Sequence, residues 1–326
     1  MTKDEKPLND EAEPKEPIKD ETTDLLGLYK LGSPTKDDIK TALEQHYARF
    51  GRVGFNAEVD ENTVDNFYSH FTRNSREYLE AELHFIQEVL ASDLADIAEQ
   101  GYSRARILLP EQEYQTPQAV FLLNGKRTDA KVIGNGQFGI NLQNLFSKAY
   151  SRETKTYNMQ RAVRIIRNNA AHEATHVLVE QIEHSEDDRV NSLISGAFNE
   201  GLATFAQEEL DFAWSRDYLR DSENTLEIIR ATFKGDPYEK IIADLCNMES
   251  LKKHKPEEIQ TAQDLISKGP ISDEVFRATL RQLLVDKNGP LYYAGYTVWR
   301  KIYETKGIEK VREIVKKGPK AFAKFM

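Results

Sequence analysis

The chain has 326 residues, 30% of them charged and 39% hydrophobic, with a net charge of −10 and one cysteine, Cys246. That length can bury a sizeable core in one large or two modest domains, while the acidic balance argues against nucleic acid or an anionic membrane as the main partner, since phosphate binding needs clustered Lys and Arg. One cysteine allows no intrachain disulfide, no apolar run reaches the ~18–20 residues of a membrane span, and Met1–Asp20 lacks the apolar segment of a secretory signal, so the expected location is the cytoplasm.

Residues 1–23 are mostly Lys, Glu, Asp and Pro. They cannot bury enough apolar surface to offset the entropy of ordering, and a disordered tail is expected. From 24 to 101 the pattern is helical. Leu25–Leu31 is a short apolar patch, and Ser33-Pro34-Thr35 then offers a cap. Ile39, Leu43, Tyr47 and Phe50 share one face of a helix predicted over Lys36–Phe50, with Gly51 as its stop. A short helix over Asn62–Phe71 and a long one over Arg76–Glu99, ending at Gly101, complete this region. His46, His70 and His84 fall within it and are expected to be structural or surface histidines.

The texture changes after residue 101. Ala105–Leu109, Gln118–Leu123, Ala130–Ile133 and Gln137–Leu142 are short and apolar or alternating, separated by Pro, Asn and Gly. They read as strands of a small sheet, and Asn124-Gly125 is a hairpin signal. An edge strand of such a sheet can pair with an extended peptide; the competing reading is that the glycines at 134 and 136 only make turns. Helical periodicity returns over Thr156–Gln181, through Met159, Val163, Ile166, Ala170, Val177 and Val179. It resumes from Arg189 through Leu193, Phe198, Leu202 and Phe205. Further helices are predicted near 223–233, 236–247, 256–267, 273–286, 290–305 and 308–317.

The helix over Thr156–Gln181 carries His172-Glu173-Ala174-Thr175-His176 in its second half. Residues at i and i+4 stack on one helix face, so two imidazoles can share one zinc ion, with nitrogens roughly 2.0–2.1 Å from the metal. Glu173 flanks the same face and can take a proton from a water there. The competing reading is an ordinary helix with two histidines and a solvated glutamate. The next predicted helix holds Asn199-Glu200-Gly201-Leu202-Ala203. A short connection makes consecutive helices antiparallel neighbours, so the Glu200 carboxylate can reach a metal held by the first. An unpaired carboxylate among Ala197, Phe198, Leu202 and Phe205 would be costly. Two histidines and a glutamate form a catalytic zinc set with a fourth position open. His184 lies past the helix end at a spacing that fits no zinc pattern and is not assigned as a ligand.

The block from Ala197 to Phe205 resembles the Asn-Glu-Gly-Phe-Ala segment of the aminopeptidase N and leukotriene A4 hydrolase group. These are gluzincins, which also include thermolysin. Tyr292-Tyr293-Ala294-Gly295, followed by a helix to Gly307, is similar to the Tyr-x-x-Gly segment of that group. The resemblance implies that a tyrosine donates a hydrogen bond to the tetrahedral oxyanion, a role that falls on Tyr292, with Tyr293 and Tyr296 as alternatives. It covers roughly residues 118–307 in organisation. It departs in three places: a longer interval before Glu200, Gln207 where that group often has a glutamate supporting a zinc-bound histidine, and no glutamate in Gly136–Asn141 to hold a substrate's amino terminus. Gln207 or Glu208 can still accept the supporting hydrogen bond.

The resulting expectation is an α+β, predominantly helical, gluzincin-like chain. A disordered tail over 1–23 precedes a helical region over 24–101. A metallopeptidase core over 102–216 packs a small mixed sheet on the zinc-bearing helix, and a helical subdomain over 217–326 follows. The expected activity is zinc-dependent hydrolysis of a peptide or protein substrate. His172, His176 and Glu200 would hold one Zn²⁺, Glu173 would act as general base, and Tyr292 would steady the oxyanion. The rival readings are a zinc hydrolase of a non-peptide substrate and a non-enzymatic interaction protein on the same scaffold.

Overall fold

A computed structural model describes residues 18–92, 94–125, 129–184, 192–207, 210, 215–286 and 289–326. The calls that fall on residues 1–17 and on Glu208 therefore lie outside the described residues. The first strand, β1 (Ile18–Asp20), falls within the segment expected to be a tail. It is followed by α1 (Gly27–Lys30), α2 (Lys36–Phe50), α3 (Glu61–Arg73), α4 (Arg76–Ala91) and α5 (Leu94–Ile107). The cap expected in Ser33-Pro34-Thr35 falls on Thr35 and is a full capping box: its side chain accepts from the Asp38 amide while Asp38 accepts from the Thr35 amide. Gly51 closes α2 in the left-handed conformation.

Gly101 does not stop a helix. It lies inside α5, where a Cβ would meet the Ala170 Cβ at 2.7 Å and the Ala171 amide nitrogen at 2.9 Å. The glycine is there for close approach between helices. For the same reason the expected strand Ala105–Leu109 is mostly the end of α5. Ala105, Leu108 and Leu109 are buried while Ile107 is exposed, which is not the alternation of a strand, and the predicted Arg76–Glu99 helix divides into α4 and α5. The boundary expected at residue 101 thus falls mid-helix.

The sheet is mixed, in the order β1-β2-β4-β3. Strand β2 (Gln118–Leu122) pairs in parallel with both β1 and β4 (Gln137–Asn141), and β3 (Ala130–Gly134) runs antiparallel on the outer edge of β4. Asn124-Gly125 is therefore not a hairpin, because β2 and β3 are not neighbours. Instead Asn124 accepts from the Phe55 amide at 3.0 Å, and the Gln143 side-chain oxygen takes the Asn124 and Gly125 amides at 3.0 and 2.7 Å. The hairpin lies at Asn135-Gly136, both with positive φ, which suits the twist of the flanking strands.

After β4 come α6 (Leu142–Ala149), the paired strands β5 (Tyr150–Ser151) and β6 (Thr156–Tyr157), α7 (Met159–Val179) and α8 (Ser192–Ala206). The C-terminal third is helical: α9 (Ser215–Arg220), α10 (Ser222–Lys234), α11 (Tyr238–Asn247), α12 (Glu249–His254), α13 (Pro256–Ser267), α14 (Asp273–Leu280) with a π-helical turn Arg281–Val285, α15 (Pro290–Lys306), α16 (Ile308–Lys317) and α17 (Pro319–Ala323). The core is a stack of helices, α5 on α7, α7 on α8 and α8 on α15, with β3 and β4 lying against α7. Among the described residues no helix is long and apolar enough to cross a membrane.

Candidate metal centre

Helix α7 starts at Asn158, whose side chain accepts from the Arg161 amide. Ala162, Ile165, Ile166, Ala170, Ala174, Val177 and Leu178 are buried and fix its rotation. That rotation turns His172 and His176 into a cleft of about 960 Å³. Glu200 enters from α8. The His172 and His176 Nε2 atoms are 3.2 Å apart, and the Glu200 Oε2 lies 3.4 Å from each. Ligands at ~2.0–2.1 Å from a tetrahedral zinc stand roughly 3.3–3.4 Å from one another. The three donor atoms therefore have the spacing of three corners of such a site, and the donor set of two nitrogens and one oxygen suits zinc.

Electrostatics agree with a cation at this point. Burial pushes the Glu200 carboxyl up, but hydrogen bonds and charge from His172 and His176 outweigh it and hold the group well below the usual carboxylate range. Burial pushes His176 down, while bonding to Glu200 and the nearby Glu173 charge raise it above the ordinary histidine value. Either protons or a metal ion balances the carboxylate.

The position of Glu200 depends on the glycine that follows it. A Cβ on Gly201 would lie 2.5 Å from the Gly295 Cα, and one on Gly295 would lie 2.8 Å from the Gly201 Cα. Helices α8 and α15 thus cross with backbones in contact, and each of the two glycine-containing motifs needs the other. The contact is pinned by the buried Trp299, whose Nε1 donates to the Phe198 carbonyl at 3.0 Å. It also brings Tyr292 over the histidines: its ring stacks on His172, with centroids 6.2 Å apart and planes 12° from parallel. Tyr293 turns inward against Tyr218, and Tyr296 packs on Phe205. Burial, then the charges of Glu200 and Glu173, push the Tyr292 phenol far above its ordinary value, so it stays a neutral donor.

Glu173 lies beside the triad in the same cleft. Burial raises its carboxyl above the ordinary value, against the lowering effect of His172 and His176, and the Val132 backbone N–H donates to it. That bond shows which way β3 faces. The Asn141 amide donates to the Asp129 carbonyl at 2.8 Å, so Asp129 points toward β4. Strand alternation then turns the main-chain groups of Ala130 and Val132 to the open edge, toward the cleft.

The Gln207 side-chain amide is 2.9 Å from His172 Nδ1. If His172 uses Nε2 on a metal, its Nδ1 carries the proton, and the Gln207 amide oxygen is the fitting acceptor after rotation of the amide plane. The other described histidines are engaged elsewhere. His70 meets Glu82 at 2.7 Å, His84 meets Tyr157 at 2.6 Å, His254 meets Asp217 at 2.8 Å, and His46 is buried near Asp24. His184 contacts the Val315 carbonyl from the cleft wall. The sequence reading missed the cleft residues Asn169, Lys131 and Arg281. Asn169 was recoverable, since it precedes His172 by one turn of α7. Lys131 and Arg281 carry no pattern that marks them.

Comparison with known proteins gives one family. The model of the family DUF5700, described as "Putative zinc dependent peptidase", matches residues 34–325, most of the chain. No curated protein and no solved structure gives a match.

Proposed function

We propose that this chain, which belongs to the DUF5700 family, is a zinc-dependent peptidase of the His-Glu-x-x-His type, with His172, His176 and Glu200 as metal ligands. The observation that carries the reading is the spacing of the three donor atoms, with Glu173 beside them and an open strand edge in the same cleft. Zinc, when bound, supplies Lewis acidity toward a carbonyl and lowers the pKa of a coordinated water to about 7.

The remaining chemistry belongs to the chain's own side chains. A peptide in extended form pairs with the outward main-chain groups of Ala130 and with the Val132 carbonyl, which holds it along the cleft; the Val132 N–H is engaged by Glu173. Glu173, its proton affinity raised by burial, takes a proton from the attacking water and delivers it to the departing nitrogen. Tyr292 remains protonated and donates to the developing oxyanion, a contribution of several kcal/mol in a dry site by analogy with other oxyanion donors, about 3–4. Gln207 keeps His172 in the ligating tautomer. The open strand edge favours a peptide over other substrates, and the likeness to gluzincins gives the order of the ligands.

The test is metal analysis of the wild type and Glu200→Ala in parallel, followed by exposure of the zinc-loaded protein to a peptide library. One zinc per wild-type chain, lost in the variant, together with cleavage that stops in Glu173→Gln, is the expected result. Full zinc occupancy with no cleavage of any peptide would turn the reading toward a non-peptide hydrolase.

A further inference from the structure

The cleft has two walls. One is β3, against α7; the other is the start of α15, which packs on α8, with the π-helical turn 281–285 packed on α15. Each wall carries one exposed cation, Lys131 on β3 and Arg281 on the turn. The acids of the cleft are largely committed. Asp129 is held by Lys148 at 2.7 Å and by Asn144, and Glu173 and Glu200 belong to the centre. Glu180, at the end of α7 beyond His176, and Asp286, beside Arg281, remain.

Arg281 is less engaged. Among the described residues its ion pair is with Asp286, Nε to Oδ1 at 3.6 Å, with 78% of the side chain exposed. That separation is outside hydrogen-bonding range, and exposed pairs of this kind contribute little. The planar fork of the guanidinium is left open to a carboxylate, which it can bind through two parallel bonds.

The turn that presents Arg281 is held from below by an unusual device. Lys255 is 1% exposed, and its Nζ donates to the carbonyls of Gln282, Leu283 and Asp286 at 2.7, 2.9 and 2.7 Å. The last carbonyls of a helix have no partner inside it, and its negative end attracts a cation. Burying an ammonium is costly unless its donors are satisfied, so three bonds to one turn fix that turn. The same segment closes through Gly289, whose amide donates to the Val285 carbonyl at 3.1 Å, and continues into the first turn of α15.

We propose that Arg281 is a specificity-determining residue that engages a carboxylate of a peptide in the cleft, and that Lys255 is the positioning residue that sets its wall. The proposal rests on the peptidase reading. The carboxylate is an acidic side chain or the peptide's own C-terminus.

The experiment uses the zinc-loaded full chain and quenched fluorescent peptides carrying Glu, Gln or Lys at each position, each made with a free and an amidated C-terminus. One of two comparisons should show a KM about tenfold lower with similar kcat, the scale of a charge-assisted bond: Glu against Gln at one position, or the free against the amidated C-terminus. A preference for Glu at one position identifies the side chain; a preference for the free over the amidated C-terminus identifies the terminus. Arg281→Gln should abolish the preference and Arg281→Lys should keep part of it. Lys255→Met should weaken it with zinc content unchanged, and Arg277→Gln, one turn earlier and paired with Asp273, should leave it intact. Equal KM in both comparisons, a preference for Lys peptides, or a preference that survives Arg281→Gln would overturn the proposal. If no peptide is cleaved, fluorescence anisotropy of the same peptides on zinc-loaded Glu173→Gln separates the two readings. Tighter binding of Glu peptides, or of peptides with a free C-terminus, that disappears with Arg281→Gln upholds the carboxylate site without a peptidase, and equal binding in both comparisons rejects it.

Discussion

The floor and the walls of the cleft are held by different physics. The floor, formed by α7, α8 and α15, is fixed by close packing: Gly101 against Ala170, and Gly201 against Gly295. The walls are fixed by polar tethers. Lys148 and Asn144 hold Asp129 at the start of β3, and Lys255 holds the turn that carries Arg281. Packing leaves no freedom, since a protein interior transmits a misplaced methyl group as strain. That suits donor atoms whose mutual distances must hold to a few tenths of an ångström. Tethers fix direction while leaving the outward faces free to meet a substrate.

The largest expected effect falls on the floor's chemistry. Glu173→Gln should reduce peptide cleavage by about 10²–10⁴-fold, the usual contribution of a general base, while zinc content stays unchanged, because Glu173 is not among the three converging donors. Steady-state kinetics with metal analysis on the same sample checks both halves. Next comes the packing itself. Gly295→Ala places a methyl group against the Ala197 carbonyl and the Gly201 Cα, and should cost about 1–3 kcal/mol of stability and weaken zinc retention by moving Glu200. Urea unfolding of the zinc-free protein and competition with a chelator measure these separately. A variant of unchanged stability would mean that the floor is no more tightly packed than the walls.

Gln207→Ala should weaken zinc binding by roughly 10–100-fold, as loss of a histidine-supporting partner does elsewhere, without a large change in zinc-free stability. Asp129→Asn has a smaller expected effect. It loosens the partly exposed tether to Lys148, a loss of about 0–1 kcal/mol, and should raise KM for peptides while leaving zinc content alone.

The smallest expected effect is on pH dependence without metal. The Glu200 carboxyl is held low, so its contribution is present above the ordinary carboxylate value and lost as pH falls through its folded pKa. His176 is raised, so its contribution is complete below its unfolded value of about 6.5 and lost as pH rises through the folded one. Zinc-free protein should therefore melt at a higher temperature near about pH 6 than near about pH 9 as far as this pair contributes. Zinc should reverse the trend, because it takes imidazole in the neutral form. Thermal melts with and without chelator, across that range, decide it.

The readable part of the fold was that governed by short-range pattern. The helix Lys36–Phe50, its cap at Thr35 and its stop at Gly51 all followed from local chemistry, and 256–267 matched α13. The short-range errors share one cause. Gly101 reads as a stop and Asn124-Gly125 as a hairpin because glycine looks the same in sequence whether it supplies a positive φ or a close approach. At Gly101 the reason is Ala170 on α7; at Gly125 it combines positive φ with a backbone approach to Phe67.

The candidate site divides in the same way. His172, Glu173 and His176 are tied together by the helix period alone, and Glu200 by the short path to the next helix, so the sequence determined which residues could meet. Tertiary packing decided whether they do: the donor atoms reach metal spacing only because α8 and α15 touch through two glycines, which also selects Tyr292 over Tyr293 and Tyr296 as the ring beside His172. It alone decided the walls, since no period links Lys131, Lys255 and Arg281. A repeat in sequence encodes which side chains share a face of one element, whereas the meeting of two elements is set by the volumes and polar partners at their contact.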